Sequence, residues 1–179
     1  MPLAVTLRLD DPDAASITAI WEMLLARGLE ATRRNFAYAP HLTLAILPDA
    51  PDEEDAIAET LTGFAGGCAP LELTLSGPGI FPGPPAVVYL APVPRRDLLD
   101  LHKNLDDALT ARHPELARAG HYLPGAFVPH VTLCEAAEDP AAAIPALLAG
   151  SAWPLRLRAS RLELVRFHPA RVVAGFAMG

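Results

Sequence analysis

The sequence contains one short motif twice, and each copy places a threonine two positions after a histidine. The first copy reads PHLTL at positions 40–44 and the second reads PHVTL at positions 129–133. The polar members of the two copies are His41, Thr43, His130 and Thr132. An imidazole gains or loses a proton near neutral pH and a hydroxyl donates a hydrogen bond. Each copy therefore joins an acid-base group to a hydrogen-bond donor.

Two such imidazoles on opposite sides of a reacting group would supply a general base and a general acid together. One would be neutral and the other protonated, which predicts a bell-shaped pH dependence around neutrality. The threonine hydroxyls would donate to oxygens that gain negative charge. Such a site needs no metal or other cofactor, because histidine and threonine without neighbouring Asp, Glu or Cys are a poor ligand set. Which histidine would act as the base stays open.

Each motif is predicted to form a β-strand that begins at its histidine, because a β-forming apolar run follows a proline. Side chains alternate between the two faces of a strand, so the histidine and threonine share one face and the apolar residues share the other. One motif of this kind is typical of an ordinary half-buried strand. Two copies in equivalent positions of a repeat indicate a shared site.

The elements around the motifs follow the same order in both halves of the chain. The first half predicts strands at 3–10 and 70–75, helices at 11–28 and 52–66, and a turn-rich loop at 76–83. The second half predicts strands at 86–91 and 154–158, helices at 98–112 and 141–148, and a final hairpin of 162–167 with 172–177. Pro145 should make the last helix short.

This order predicts a single bilobal domain with an internal repeat of about 3–83 and 86–178. A pseudo-two-fold arrangement of the halves would bring the two motif strands to a common groove. We expect an α+β fold in which two mixed or antiparallel sheets flank the groove and the helices lie outside.

The composition narrows the class of protein. The chain has 179 residues, of which 51% are hydrophobic and 20% charged, as in globular domains. Its net charge of −7 argues against a surface that binds long nucleic acid. We see no signal peptide, no membrane span and no CxxC pair, and therefore expect a cytoplasmic, monomeric protein with no membrane partner.

The two motifs, 89 positions apart, are accompanied by GIFP at 79–82 before a strand and by a long leucine-patterned helix before the second copy. Together these features resemble the two-histidine (2H) phosphoesterases, in particular the branch of bacterial RNA 2′-5′ ligases and cyclic phosphodiesterases. The resemblance covers essentially the whole chain. It implies a bilobal fold with both motifs in a central groove.

The resemblance also implies roles for the motif residues. His41 and His130 would carry acid-base catalysis, and Thr43 and Thr132 would hold phosphate oxygens. The implied reaction is hydrolysis of a 2′,3′-cyclic phosphate on a nucleotide or short RNA end, with 2′-5′ RNA ligation as its reverse. Two alternatives stay open: a small-molecule cyclic phosphodiesterase, and a non-catalytic RNA- or nucleotide-binding module.

Other residues have two interpretations each. Arg8 would either reach a groove phosphate or lie on the surface, and Phe81 would either stack on a base or sugar or pack in the core. Two histidines are expected to face solvent and two to lie in loops: His102 and His113, and His121 and His168. Relatives in the ligase branch often carry an arginine where this chain has Cys134-Glu135. A carboxylate there would repel phosphate, which favours a small-molecule substrate.

Overall fold

The computed structural model describes residues 1–28, 38–83, 85–136, 143–150, 153–167 and 169–179. These ranges contain seven strands and four α-helices. The strands are β1 (Leu3–Leu9), β2 (His41–Leu47), β3 (Leu71–Phe81), β4 (Ala86–Pro92), β5 (Val131–Ala136), β6 (Leu155–Arg166) and β7 (Arg171–Ala177). The helices are α1 (Asp11–Ala26), α2 (Glu54–Gly66), α3 (Arg96–Arg112) and α4 (Ala143–Gly150). Two short 3₁₀ turns, Pro51–Glu53 and Gly120–Tyr122, precede α2 and β5.

The expected α+β class and the expected helices are confirmed. Strand, helix, motif strand, helix and strand follow one another in each half of the described chain. Helix α4 has 8 residues where α2 has 13, as the proline at 145 predicts. All pairings between the described strands are antiparallel.

The expectation of two separate sheets is wrong, because the seven described strands form one sheet in the order β2-β1-β6-β3-β4-β5, with β7 also paired to β6. The reason is the length of β6. The separate strands predicted at 154–158 and 162–167 are one strand of 12 residues. Its first half pairs with β3, and its second half pairs with β7, while β1 lies along its other edge. Strand β6 therefore belongs to both halves of the fold.

The loop predicted at 76–83 is also wrong over most of its length, because β3 continues to Phe81 and pairs with β4. The pairing of β3 with β4 shifts its register between Leu75 and Gly77. This irregularity lies where the Gly- and Pro-rich sequence begins. The extended strand carries Gly79 and Phe81 alongside β4.

The apolar residues of the motif strands are buried as predicted, although Thr43 and Ala45 of β2 are buried as well. Leu42 and Leu44 of β2 are at most 1% exposed, as are Val131 and Leu133 of β5. They join a core to which α1 contributes Ile17, Trp21 and Leu24. Strand β2 begins at His41 as predicted, but β5 begins at Val131, one residue after His130, so the predicted start is wrong for the second copy. Strands β2 and β5 are the two ends of the sheet order, yet they approach each other.

No helix among the described residues is both long enough and apolar enough to span a membrane.

Candidate functional site

Each motif histidine is fixed by a hydrogen bond to its own chain. His41 Nδ1 lies 2.8 Å from the carbonyl oxygen of Ala39, and His130 Nδ1 lies 2.8 Å from that of Val128. A carbonyl only accepts, so Nδ1 must carry the proton in both rings. In the neutral form the lone pair is therefore on Nε2 of each imidazole. Both rings have a nitrogen that is ready to take a proton.

In the first half, a polar surface surrounds His41. Arg8 of β1 is the direct neighbour of His41 across the antiparallel pair, and Thr6 is the neighbour of Thr43. Directly opposed residues point to the same face, so all four lie on one side of the sheet. The ring of Tyr38 lies 4.5 Å from that of His41.

Tyr38 in turn connects His41 to a buried carboxylate. Its hydroxyl donates to Glu163 Oε2 at 2.5 Å and lies 2.8 Å from the hydroxyl of Thr6. Burial and the bond to Glu163 raise the pKa of Tyr38, so the phenol stays protonated. Glu163 is 7% exposed and also pairs with Arg161 Nε at 3.4 Å. This network holds the ring against which His41 rests.

In the second half, the surface around His130 is aromatic. The ring of Phe81 contacts His130 edge-on at 4.9 Å and stacks on Tyr89 at 4.2 Å. Tyr89 is the cross-strand neighbour of both Gly79 and Thr132. A Cβ on Gly79 would lie 2.5 Å from the Tyr89 ring, so the ring lies directly over the glycine. The absence of a side chain at Gly79 makes this stack possible.

Phe81 and His130 border a cavity of about 470 Å³. Its other lining residues include Thr132, His121, Tyr122 and Val128. A volume of this size is typical of small-molecule sites. A larger groove of about 800 Å³ lies on the side of Arg8 and Tyr38, bordered by α1.

Tyr122 joins the two motifs. The Thr43 hydroxyl lies near the Tyr122 hydroxyl and partly offsets the rise that burial causes in the pKa of Tyr122, while the Tyr122 ring lies 6.2 Å from the ring of His130. His102 fixes the Tyr122 backbone, because its Nε2 donates to the Tyr122 carbonyl at 2.8 Å. The 3₁₀ turn that carries Tyr122 is thereby anchored to α3.

The electrostatics of the site favour neutral imidazoles. Burial, together with the charges that His130 and Arg8 carry, lowers the pKa of His41 to about 4. Burial also lowers the pKa of His130, and a charge on His121 would lower it further. The influence of His130 on His41 indicates that the two rings share one electrostatic environment. The two halves are not equivalent, since His41 is the less basic ring.

The structure places each predicted site residue. His130, Thr132 and Phe81 line the same cavity, and Thr43 reaches it through Tyr122. Arg8 is adjacent to His41 but already donates to the Leu9 carbonyl and to Asp11. It therefore lies in the site region with its guanidinium partly engaged.

Two histidine predictions are wrong. His102 is 3% exposed and stacks on Phe127 at 3.8 Å, and His113 is 4% exposed and bonds to Thr60. Neither faces solvent as expected. His121 lines the cavity beside His130, in the 3₁₀ turn before β5. His168 and the side chain of Glu135 lie outside the described residues.

Several site residues were not predicted, namely Tyr89, Tyr122, Arg161 and Glu163. Nothing in their spacing marks them, because they reach the site through strand pairing and a loop. Tyr38 offered a signal, since an aromatic residue stands three positions before each motif histidine. The two aromatic residues act differently, however: Tyr38 contacts His41, whereas Phe127 stacks on His102.

The candidate metal ligands lie apart from the motifs. Across the described ranges, one group of three His, Asp, Glu or Cys side chains lies close together, formed by Glu53, His113 and Glu115. It contains neither His41 nor His130. The donor set around the motifs is imidazole and hydroxyl, which does not favour a metal ion there.

Comparisons with known proteins show the family and the fold of the chain. The sequence model of the 2′-5′ RNA ligase superfamily matches residues 7–171. The chain belongs to this superfamily. The resemblance to the 2H phosphoesterases is thereby confirmed, and no curated protein sequence gives a significant match to the chain.

Solved structures show the same fold as this 2′-5′ RNA ligase superfamily member. TT0787 of Thermus thermophilus superposes with a TM-score of 0.69 at 22% identity, over 99% of this chain and 98% of that one. Apo LigT of E. coli gives 0.62 at 20% identity, over 99% and 98%. LigT complexed with 3′-AMP gives 0.64 at 18% identity, over 98% and 96%. At these identities the similarity is one of fold.

The Tyr89 stack gives a prediction about Gly79. Replacing Gly79 by alanine should displace the Tyr89 ring and destabilise the protein by about 1–3 kcal/mol, as overpacking typically does. Gly77→Ala in the same strand is the matched control, because a Cβ there would meet nothing within 4 Å. Urea unfolding would measure the stability of both variants, and the NMR chemical shifts of the Tyr89 ring protons would report the displacement of the ring. Equal behaviour of the two variants would contradict the assigned role of Gly79.

Proposed function

We propose that this superfamily member is a metal-independent phosphodiesterase that hydrolyses 2′,3′-cyclic phosphates on nucleotides or short RNA ends. The observation that carries the proposal is the matched pair of imidazoles. Each has its Nδ1 proton committed to a backbone carbonyl, which leaves Nε2 to exchange protons with a substrate. A protein that only binds a nucleotide has no need of two such groups.

In the proposed mechanism His41 is the base and His130 the acid. Nε2 of His41 removes a proton from water as the water oxygen attacks phosphorus. His130, protonated on Nε2, gives its proton to the ribose oxygen as the bond between that oxygen and phosphorus breaks. The product is a ribose phosphate monoester. The assignment follows from burial, because the ring with the more strongly lowered pKa is the one that stays neutral.

Thr43 and Thr132 donate to the non-bridging phosphate oxygens, on which charge increases in the transition state. Tyr122, whose hydroxyl lies near that of Thr43, helps to position the first of these donors. Arg8 lies beside His41 and adds positive charge on the same face of the sheet. We propose that it attracts the phosphate without leaving Asp11.

The cavity beside His130 suits a nucleoside. Its aromatic residues Phe81 and Tyr122 offer ring faces and edges to a base or sugar. LigT of E. coli has been crystallised with 3′-AMP. The phosphate of 3′-AMP is attached to the 3′ oxygen of the ribose, which is one of the two oxygens that a 2′,3′-cyclic phosphate joins. We extend this ligand class to the present chain. The net charge of −7 favours a nucleotide or a short end over a long RNA.

An assay of purified protein with EDTA present tests the proposal. We expect turnover of 2′,3′-cyclic mononucleotides and of a short RNA with a cyclic phosphate end, but not of a 3′,5′-cyclic nucleotide. Products would be separated by chromatography. Absence of turnover on every substrate would favour a non-catalytic binding module. Preference for the 3′,5′-cyclic nucleotide would favour the small-molecule alternative, and loss of activity on adding EDTA would contradict metal independence.

Removing either imidazole should nearly abolish activity. We expect His41→Ala and His130→Ala each to lower kcat about 10²–10⁴-fold, since each removes one half of an acid-base pair. The double variant should be little worse than the weaker single one, because the two groups act as a unit. Circular dichroism would verify folding. Near-normal turnover in either single variant would remove that histidine from the mechanism.

The pH dependence should be bell-shaped but displaced from neutrality. In the free protein, catalysis needs neutral His41 and protonated His130. The first form is lost as pH falls through the low pKa of His41, about 4, and the second as pH rises through the lowered pKa of His130. The optimum of kcat/KM should therefore lie on the acidic side of neutrality. Bound phosphate stabilises imidazolium, so the kcat optimum should lie at higher pH.

Initial rates over a pH series at low and at saturating substrate would separate the two profiles. A rate that rises to a plateau with pH would mean that a base alone suffices. An optimum of kcat/KM above neutrality would contradict the assignment of lowered pKa values to the working pair.

A further inference from the structure

A second cluster of titratable side chains lies where the end of α3 meets the beginning of α2. It consists of Glu53, His113 and Glu115, and one potential ligand atom of each lies within 4.8 Å of the others. His113 immediately follows α3, Glu53 belongs to the 3₁₀ turn before α2, and Glu115 follows in the next loop. None of the three lines the cavity beside His130.

The hydrogen bonds of His113 decide which nitrogen carries its proton. The Thr60 hydroxyl donates to the carbonyl of Ala56 at 3.0 Å, so its single proton is committed. Its oxygen, 2.9 Å from His113 Nε2, must therefore accept from that nitrogen. In the neutral ring the lone pair is then on Nδ1. This side chain is 4% exposed, and its Nδ1 has no hydrogen-bond partner within the described ranges.

Nδ1 faces a carboxylate. The Oε2 atom of Glu53 lies 3.9 Å from it, which is too long for a hydrogen bond. A lone pair and a carboxylate oxygen repel each other, and a cation between them would remove this repulsion. A zinc ion bonds to imidazole nitrogen at about 2.0–2.1 Å and to carboxylate oxygen at about 2.0–2.2 Å, so in tetrahedral coordination the two ligand atoms lie roughly 3.4 Å apart, and a small movement of the Glu53 side chain would close the difference.

We propose that His113 Nδ1, Glu53 and Glu115 bind a zinc ion. One imidazole with two carboxylates is a donor set that zinc accepts, whereas magnesium prefers oxygen ligands alone. Water would complete the coordination. The ion would tie the end of α3 to the beginning of α2 and stabilise both, apart from the chemistry at the two motifs. The inference does not rest on the proposed function.

Calorimetric titration of metal-free, untagged protein with Zn²⁺ tests the site. Because His41 and His130 could also bind zinc, the titration is repeated in the His41→Ala/His130→Ala variant. We expect one Zn²⁺ per chain to remain there. In this background, His113→Gln and Glu115→Gln should each weaken binding at least about tenfold, since even indirect partners of a ligand are worth that much. Glu59→Gln, an exposed carboxylate on α2, is the matched control and should leave the affinity unchanged.

Thermal unfolding gives a second measurement. Zn²⁺ should raise the Tm of the double histidine variant in a concentration-dependent manner, Mg²⁺ should not, and Glu115→Gln should remove the shift. The proposal is overturned if no stoichiometric zinc remains in the double variant, or if Glu115→Gln binds zinc as well as Glu59→Gln does. Glu115 is exposed, so its variant decides the matter even if His113→Gln does not fold.

Discussion

The pairing of β6 along both of its edges is the constraint on which the arrangement of the molecule depends. One edge holds β1, and the other holds β3 and then β7. Leu157, Leu162 and Leu164 of this strand are at most 2% exposed, so it is also fixed by the core. The first motif strand is positioned from β6 through β1, and the second through β3 and β4. The positions of the two histidines therefore both depend on β6, even though the histidines are far apart in sequence.

The local features of the site could be predicted from the sequence because they depend on short-range periodicity. Alternation in the motif strands requires only that the leucine face be buried, and the core provides this. Helix positions follow equally from apolar spacing and from capping residues. The family resemblance rests on the same two motifs, and the match over residues 7–171 confirms it.

The single long strand could not be predicted, because a tertiary contact decides it. Ser160 interrupts the apolar pattern between the two strands that were expected. Its backbone N–H and its hydroxyl both donate to Asp10 Oδ1, at 2.9 and 2.7 Å, and Asp10 is also the N-cap residue of α1. Asp10, 150 positions away in the sequence, thus accepts the hydrogen bonds of Ser160, and the strand continues through this polar residue. The extension of β3 likewise depends on the ring of Tyr89, which lies over Gly79.

The burial of His102 and His113, by contrast, has a signal in the sequence. Leu98, Leu101, Leu105 and Leu109 mark the buried stripe of α3. His102 is four positions from the first of these and three from the third, and His113 is four positions beyond the last. His102 therefore lies on the apolar side of the helix, and His113 follows directly after the last helical residue. The position of a histidine relative to the leucine stripe predicts its burial better than the polarity of its side chain does.

The placement of the motif strands at the two ends of the sheet has a geometric consequence. The two strands approach each other, but within the described residues no backbone hydrogen bonds pair β2 with β5. The distance between the two imidazoles is therefore set by how strongly the sheet curves. Every strand-to-strand rotation along the path β2-β1-β6-β3-β4-β5 contributes to that distance. A small change of twist in the middle of the sheet is multiplied at its ends. Substitutions that alter the curvature near β6 would thus retune the spacing of two side chains that they never touch.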